Sequence, residues 1–140
     1  MSTTIVGERD LSKLLANLEP VLDPATYVFC TTDDPRAECG QAIATFREDE
    51  GLTLVLEQTK ARAAGFDDQN GFRRVTLKVH SSLNAVGLTA AIAHALTRHN
   101  ISANVMAAFY HDHVFVPEAD ARQALTVLRA LAQSSSSNKA

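Results

Sequence analysis

From Phe72 onward the spacing of hydrophobic residues switches between two periods, and the order of those switches leaves few folds open. Val75, Leu77 and Val79 alternate with Thr76, Lys78 and His80, which predicts a strand over Phe72–His80 with one buried face. A helix is predicted over Leu83–His99, a strand over Ile101–Ala108, and, after a tight connection around Tyr110–His113, a strand over Val114–Val116. Pro117 then precedes a helix with Ala121, Ala124, Leu125, Leu128 and Leu131 on one face and with Glu118 and Asp120 in its first turn, where the helix dipole favours acids. The second half therefore reads β-α-β-β-α. A sheet covered by two such helices wants one more strand, and the sequence offers only Ser134-Ser135-Ser136-Ser137-Asn138-Lys139-Ala140, a tail expected to fray. A bare sheet edge presents unpaired N–H and C=O groups, so the missing strand is expected from the first half or from a second chain.

The first half reads as a smaller set of elements. Asp10 is a candidate N-cap, and Leu11, Leu14, Leu15 and Leu18 repeat at i, i+3, i+4, i+7 until Glu19-Pro20 stops the helix. Tyr27–Thr31 reads as a strand buried on both faces, and Asp33-Asp34-Pro35 as a turn. Gln41–Arg47 and Leu52–Glu57 are strands joined through Glu48-Asp49-Glu50-Gly51. Thr59–Ala64 is a short helix closed by Gly65, and the polar Asp67-Asp68-Gln69-Asn70-Gly71 is the best joint. The expected division is 1–70, 71–133 and a flexible tail 134–140.

Composition narrows the function. With 46% hydrophobic residues in 140, the chain can bury a core. The net charge is −3 and no Lys/Arg run occurs, so nucleic acid is not an expected partner. Leu83–Leu96, the longest apolar candidate, is interrupted by Asn84, Gly87, Thr89 and His94, so a membrane span is not expected either. Cys30 and Cys39 form no CxxC pair, and with no secretory signal in view the expectation is a cytoplasmic protein with reduced thiols.

The stretch with the most chemical content is His80-Ser81-Ser82-Leu83-Asn84-Ala85-Val86-Gly87-Leu88. A strand that delivers its chain to a helix start exposes orphan backbone N–H groups at the positive end of the helix dipole, a corner suited to an anion. Gly87 removes a side chain where a ligand or another backbone could approach. Ser81, Ser82 and Asn84 are equally good as simple caps.

That stretch, followed by Leu96-Thr97-Arg98-His99-Asn100-Ile101-Ser102-Ala103-Asn104-Val105, resembles the ACT domain, a small regulatory module found attached to amino-acid metabolic enzymes. Over nearly the whole chain, the sequence resembles a family of small stand-alone bacterial proteins with two ACT-like units in tandem. Tyr27–Thr31 and Glu50–Leu56 carry that resemblance in the first half, and Ser81–Thr89 and Tyr110–Pro117 in the second. The resemblance implies an α+β, ferredoxin-like βαββαβ fold, two units in tandem, with strands exchanged between units or chains as a way to complete the sheets. It implies ligand binding between paired units, at Ser81, Ser82, Leu83, Asn84, Ala85, Val86 and Gly87, with Asn104 and Val105 on the following strand. Many ACT units hold a ligand ammonium with an acid in this corner, whereas Ser81, Ser82 and Asn84 are neutral. Another segment supplies the carboxylate, or the ligand is not an ordinary α-amino acid, or the site is empty.

The remaining candidates are weaker. Asn104 shares a strand face with Ser102 and Met106, where it needs a ligand or a backbone partner if covered. Tyr110, His111, Asp112 and His113 read as a polar hairpin at an interface. His111 and His113, with His80, could start a zinc site, but three or four ligands are needed, so no metal and no cofactor is expected. No nucleophile motif is present and the cysteines have no adjacent base, so no enzyme activity is expected. The leading reading is a regulatory or sensor module binding an amino acid or related carboxylate, acting in trans on a partner enzyme as a homodimer. The ligand carboxylate would meet the amides of Leu83–Val86 and Asn104 would hold a polar group. A ligand-free protein-interaction module is the alternative, and a metal-dependent enzyme using His80, His111 and His113 the third.

Overall fold

A computed structural model describes residues 7–34, 36 and 40–137. The elements run α1 (Leu11–Ala16), β1 (Pro20–Thr32), β2 (Ala44–Glu48), β3 (Gly51–Glu57), α2 (Gln58–Ala63), β4 (Phe72–Leu77), α3 (Leu88–Thr97), β5 (Asn104–Ala107), β6 (Asp112–Pro117) and α4 (Ala121–Ser137), with a 3₁₀ turn at Glu118–Asp120. The strand order is β2-β3-β1-β4-β6-β5. The chain divides into two compact units, one of residues 1–23 and 74–140 and one of 24–73.

The first unit holds the larger core. Val75 and Leu77 of β4 and Val114 and Val116 of β6 point to one sheet face, as strand alternation requires. Leu88, Ile92, Ala95 and Leu96 of α3 and Ala121, Ala124 and Leu128 of α4 cover that face at helical spacing. Leu14 of α1 and Leu18 close the cluster, with Leu11 and Leu15 packed against its side. Asp10 caps α1 by accepting from the Lys13 N–H at 3.1 Å. The helix ends at Ala16, before Glu19-Pro20, because the Asn17 side chain caps the Lys13 carbonyl at 2.8 Å. The strand missing from the second half is the start of β1: residues 20–23 belong to this unit, and the Lys78 N–H donates to the Glu19 carbonyl at 2.9 Å. Asp23 and Arg74 form an ion pair at 2.5 Å.

In the second unit β1 pairs antiparallel with β3, Val28 opposite Leu56 and Cys30 opposite Leu54, and β2 pairs with the other edge of β3. Val28, Cys30, Leu52, Leu54 and Leu56 share a face with Ala61 of α2. The Cys30 thiol is free and buried, and burial raises its pKa, with the Asp67 charge adding to the effect. Cys39 lies outside the described residues.

Several sequence expectations shift. The strand expected over Tyr27–Thr31 begins at Pro20, because prolines at 20 and 24 break the strand signal without breaking this strand. The strands expected over Phe72–His80 and Ile101–Ala108 shorten to Phe72–Leu77 and Asn104–Ala107, and that expected over Val114–Val116 lengthens to Asp112–Pro117. The helix expected over Leu83–His99 begins only at Leu88. α4 runs on through Ser137, and the Ser134 and Ser135 hydroxyls both donate to the Leu131 carbonyl at 3.0 Å.

Candidate functional site

The connection from β4 to α3 is a loop folded by its own backbone and by residues 7–8. The Glu8 N–H donates to the His80 carbonyl, and the Ser82 N–H donates to the Glu8 carbonyl, each at 2.8 Å. Gly7 lies so close that an added Cβ would stand 2.5 Å from the Ser81 carbonyl carbon and from the Ser82 nitrogen, so only glycine fits there. The Asn84 N–H bonds the Ser82 hydroxyl at 3.1 Å and the Ala85 N–H bonds the Ser82 carbonyl at 3.0 Å. Two of the four amides expected to hold a ligand, Asn84 and Ala85, are therefore already occupied. Ser82 caps a turn and not a helix, which is why the helix begins later. Val86 is 83% exposed.

Gly87 is the residue before the helix, at φ 102°, and brings no side chain to cap it. The first intrahelical bond is Ala91 N–H to the Gly87 carbonyl at 2.9 Å, which leaves the N–H groups of Leu88, Thr89 and Ala90 as the orphan donors of α3. Beside them is a cavity of about 60 Å³ lined by Ser81, Ser82, Leu83, Ala85, Leu88, Thr89, Ala107 and Asp112.

Ser81 and Asp112 are the two buried polar residues among the described residues, each 6% exposed, and both line this cavity. Asp112 reaches it by strand parity: it lies opposite Ala107 and on the same face of β6 as Val114 and Val116. Its carboxylate accepts no hydrogen bond from the described residues. Burial pushes its pKa up, and the charge of His111 only partly opposes this. A raised carboxyl pKa favours the folded state fully below the ordinary value of 3.8, and that contribution is lost as the pH rises through the folded-state value. The Asp112→Asn variant should therefore denature at higher urea concentration than the parent at neutral pH, with the gap shrinking toward about pH 4. A gap that widens on acidification would show instead that the protein stabilises the anion.

The other candidates are dispersed. Asn104 pairs with Phe115, on the sheet face opposite Asp112, and its side chain donates to the Phe115 carbonyl at 3.2 Å. Val105 packs against the core, and neither it nor Asn84, Val86, Gly87 or Asn104 lines the cavity. His113 Nδ1 stands 3.0 Å from the Thr76 hydroxyl, and burial, then Arg74 and His111, holds its pKa down. His80 packs with Tyr110 at 5.4 Å and with Phe109 at 6.1 Å between ring centroids. Among the described residues no three His, Cys, Asp or Glu side chains are placed to hold a metal ion. Phe109 and Tyr110 are exposed at the hairpin tip. A larger groove of about 560 Å³ runs along α4 and residues 18–22, but its charged residues, Glu19 and Arg129, are exposed, and no buried polar group faces it.

The sequence reading placed Asp112 in a polar turn. The signal that finds it is its spacing, two and four residues before Val114 and Val116, which puts it on the core face once β6 is started early enough. No helix among the described residues is long and apolar enough to cross a membrane.

Comparison with known proteins fits this architecture. Two family models described as ACT domain match residues 6–73 and 71–130. No match was found among curated proteins. A solved structure from Vibrio cholerae, a protein of unknown function described as a possible transport protein, is 50% identical. It covers 88% of this chain and 96% of its own, with a TM-score of 0.79. The ligand-free regulatory subunit of aspartate kinase from Thermus thermophilus shares the fold at 11% identity, covering 80% of this chain and 95% of its own, with a TM-score of 0.60. The corresponding subunit from Thermus flavus is 13% identical at a TM-score of 0.56, over 80% of this chain and 95% of its own. The ferredoxin-like units, the order of their strands and the two family matches agree: the chain belongs to the ACT domain family and carries two ACT domains in tandem.

Proposed function

We propose that this protein is a regulatory module that binds a free amino acid in the corner between β4 and α3 and acts in trans, as a homodimer, on a partner enzyme. The observation that carries this reading is the cavity at the N-terminus of α3, which holds both buried polar residues of the described chain. The tandem ACT domains and the likeness to regulatory subunits support the regulatory part. The ligand carboxylate would lie at the N–H groups of Leu88, Thr89 and Ala90, where the helix dipole favours an anion, in place of the occupied amides of the preceding loop.

A thermal-shift screen with the common L-amino acids tests the reading. At 100-fold saturation binding adds about 2.7 kcal/mol of stability, a shift well above measurement noise. A screen in which no amino acid moves the melting temperature overturns the proposal.

The exposed pair Phe109 and Tyr110, with His80 and His111 beside them, favours a protein contact at the hairpin tip. This reading assigns that tip to the homodimer. A mass measurement by light scattering that gives a monomer would remove the dimer and leave ligand binding to stand on its own.

A further inference from the structure

We propose that Gly7 and Glu8 are positioning residues for the amino-acid site: they brace the β4–α3 loop from outside the cavity, in the shape that lets a ligand bind. This rests on the amino-acid-binding reading of the same corner and adds to it what controls the site's affinity.

The cavity is made largely of loop. Six of its eight lining residues lie between Ser81 and Thr89, in the loop and at the helix start. The loop leaves β4 after Leu77 and enters α3 at Leu88. Its turn closes on one residue, with the Asn84 N–H on the Ser82 hydroxyl and the Ala85 N–H on the Ser82 carbonyl. Whatever holds Ser82 in place therefore holds the turn. Ordering the backbone of such a segment costs about 1 to 2 kcal/mol per residue, so a site built on it gains affinity when the ordering is done before the ligand arrives.

Residues 7 and 8 supply that ordering. Glu8 forms a parallel bridge with Ser81, and its two 2.8 Å backbone bonds, to the His80 carbonyl and from the Ser82 N–H, straddle that residue. Gly7 lies against the same peptide, where an added Cβ would stand 2.5 Å from the Ser81 carbonyl carbon and 2.7 Å from its oxygen. Neither Gly7 nor Glu8 lines the cavity. The chain then turns into α1, with Glu8 Oε1 accepting from the N–H groups of Arg9 and Asp10 at 2.9 and 3.0 Å. Leu11 reaches the far end of the loop, where an added Cβ on Gly87 would stand 3.0 Å from its methyl. Residues 7–11 thus meet the loop at both ends.

The brace is a surface feature. Glu8, Arg9 and Asp10 are exposed, and the fully buried part of this segment begins at Leu14. Backbone bonds and a close fit hold it, with little apolar burial, so it can open locally without unfolding the core. A local equilibrium of this kind sets affinity directly, because apparent binding weakens in proportion to the fraction of molecules whose site has the competent shape. The coupling is reciprocal: a ligand that needs the loop braced must tighten the brace by the same factor.

The test uses the full chain and calorimetric titration with glycine and each of the common L-amino acids, followed by amide hydrogen exchange. In Gly7→Val the added carbons collide with the Ser81–Ser82 peptide, and Glu8→Pro removes the N–H that bonds His80. Both variants should bind the amino acid that the parent binds about 10-fold more weakly, as when roughly one molecule in ten keeps the loop in shape. Glu8→Gln, which keeps the backbone bonds and a side-chain acceptor, should bind as the parent does. In the parent, that amino acid should slow exchange at the Glu8 and Ser82 amides by about the same 10-fold, a response that a merely structural segment would not give. Variants that bind as tightly as the parent, or parent amides that exchange equally fast with and without the amino acid, overturn the brace and leave the amino-acid reading standing. Weaker binding with an equal loss of protection throughout α3 and α4 shows general destabilisation and overturns it too. Should Gly7→Val and Glu8→Pro fail to fold, the exchange measurement on the parent decides alone. No binding by any amino acid overturns both readings.

Discussion

Ile92→Ala is expected to lower the unfolding free energy by about 3 kcal/mol, within the range of about 2 to 5 kcal/mol for removing most of a buried aliphatic side chain. Ile92 is fully buried on the face of α3 that covers β4 and β6, among Val75, Leu77, Leu96 and Val114. Its neighbours come from several elements, so the void cannot close by moving one side chain, and the cavity term adds to the lost transfer energy. Urea denaturation at equilibrium measures the difference, and His94→Ala, on the exposed side of the same helix, serves as the control at within about 0.5 kcal/mol. Equal effects at the two positions would show that α3 buries a different face.

Gly87→Val should cost about 2 to 3 kcal/mol and should also weaken amino-acid binding. Gly87 takes φ 102°, a left-handed backbone that a β-branched residue resists, and an added Cβ would meet a Leu11 methyl at 3.0 Å. Relief requires the residue before α3 to rotate, which moves the N–H groups of Leu88 and Thr89 that wall the cavity. Gly87→Asn is the milder companion, because asparagine tolerates positive φ better, and the two losses should rank Val over Asn in both stability and affinity. Full stability with valine would mean that the turn before α3 adapts freely. Intact binding in a destabilised variant would place the ligand elsewhere.

The two predictions draw on different kinds of information. Ile92 belongs to a helical stripe that is plain in the sequence, as are Leu11, Leu14, Leu15 and Leu18 in α1 and Ala121, Ala124 and Leu128 in α4. Gly87 was visible as a glycine near a helix start, but its place as the residue before α3, with φ 102°, was not. The paired serines looked like the helix cap, and nothing local said that Ser82 would close a turn by binding Asn84 and Ala85. Caps and turns use the same side chains for the same kind of hydrogen bond, so their sequence signals overlap.

Hydrophobic period and turn chemistry by themselves determined the element order, the βαββα frame of the second half, the need for an extra strand and the corner where a ligand would be sought. These depend on which face of a helix or strand must leave water, and that is written in the spacing of residues along the chain. Tertiary structure alone decided that the start of β1 supplies the strand, that residues 7–8 lie along the β4–α3 loop, and that Asp112 enters the cavity beside Ser81 while Asn104 turns to the opposite face. Those outcomes join residues tens of positions apart, and their energies exist only once packing has brought the partners together.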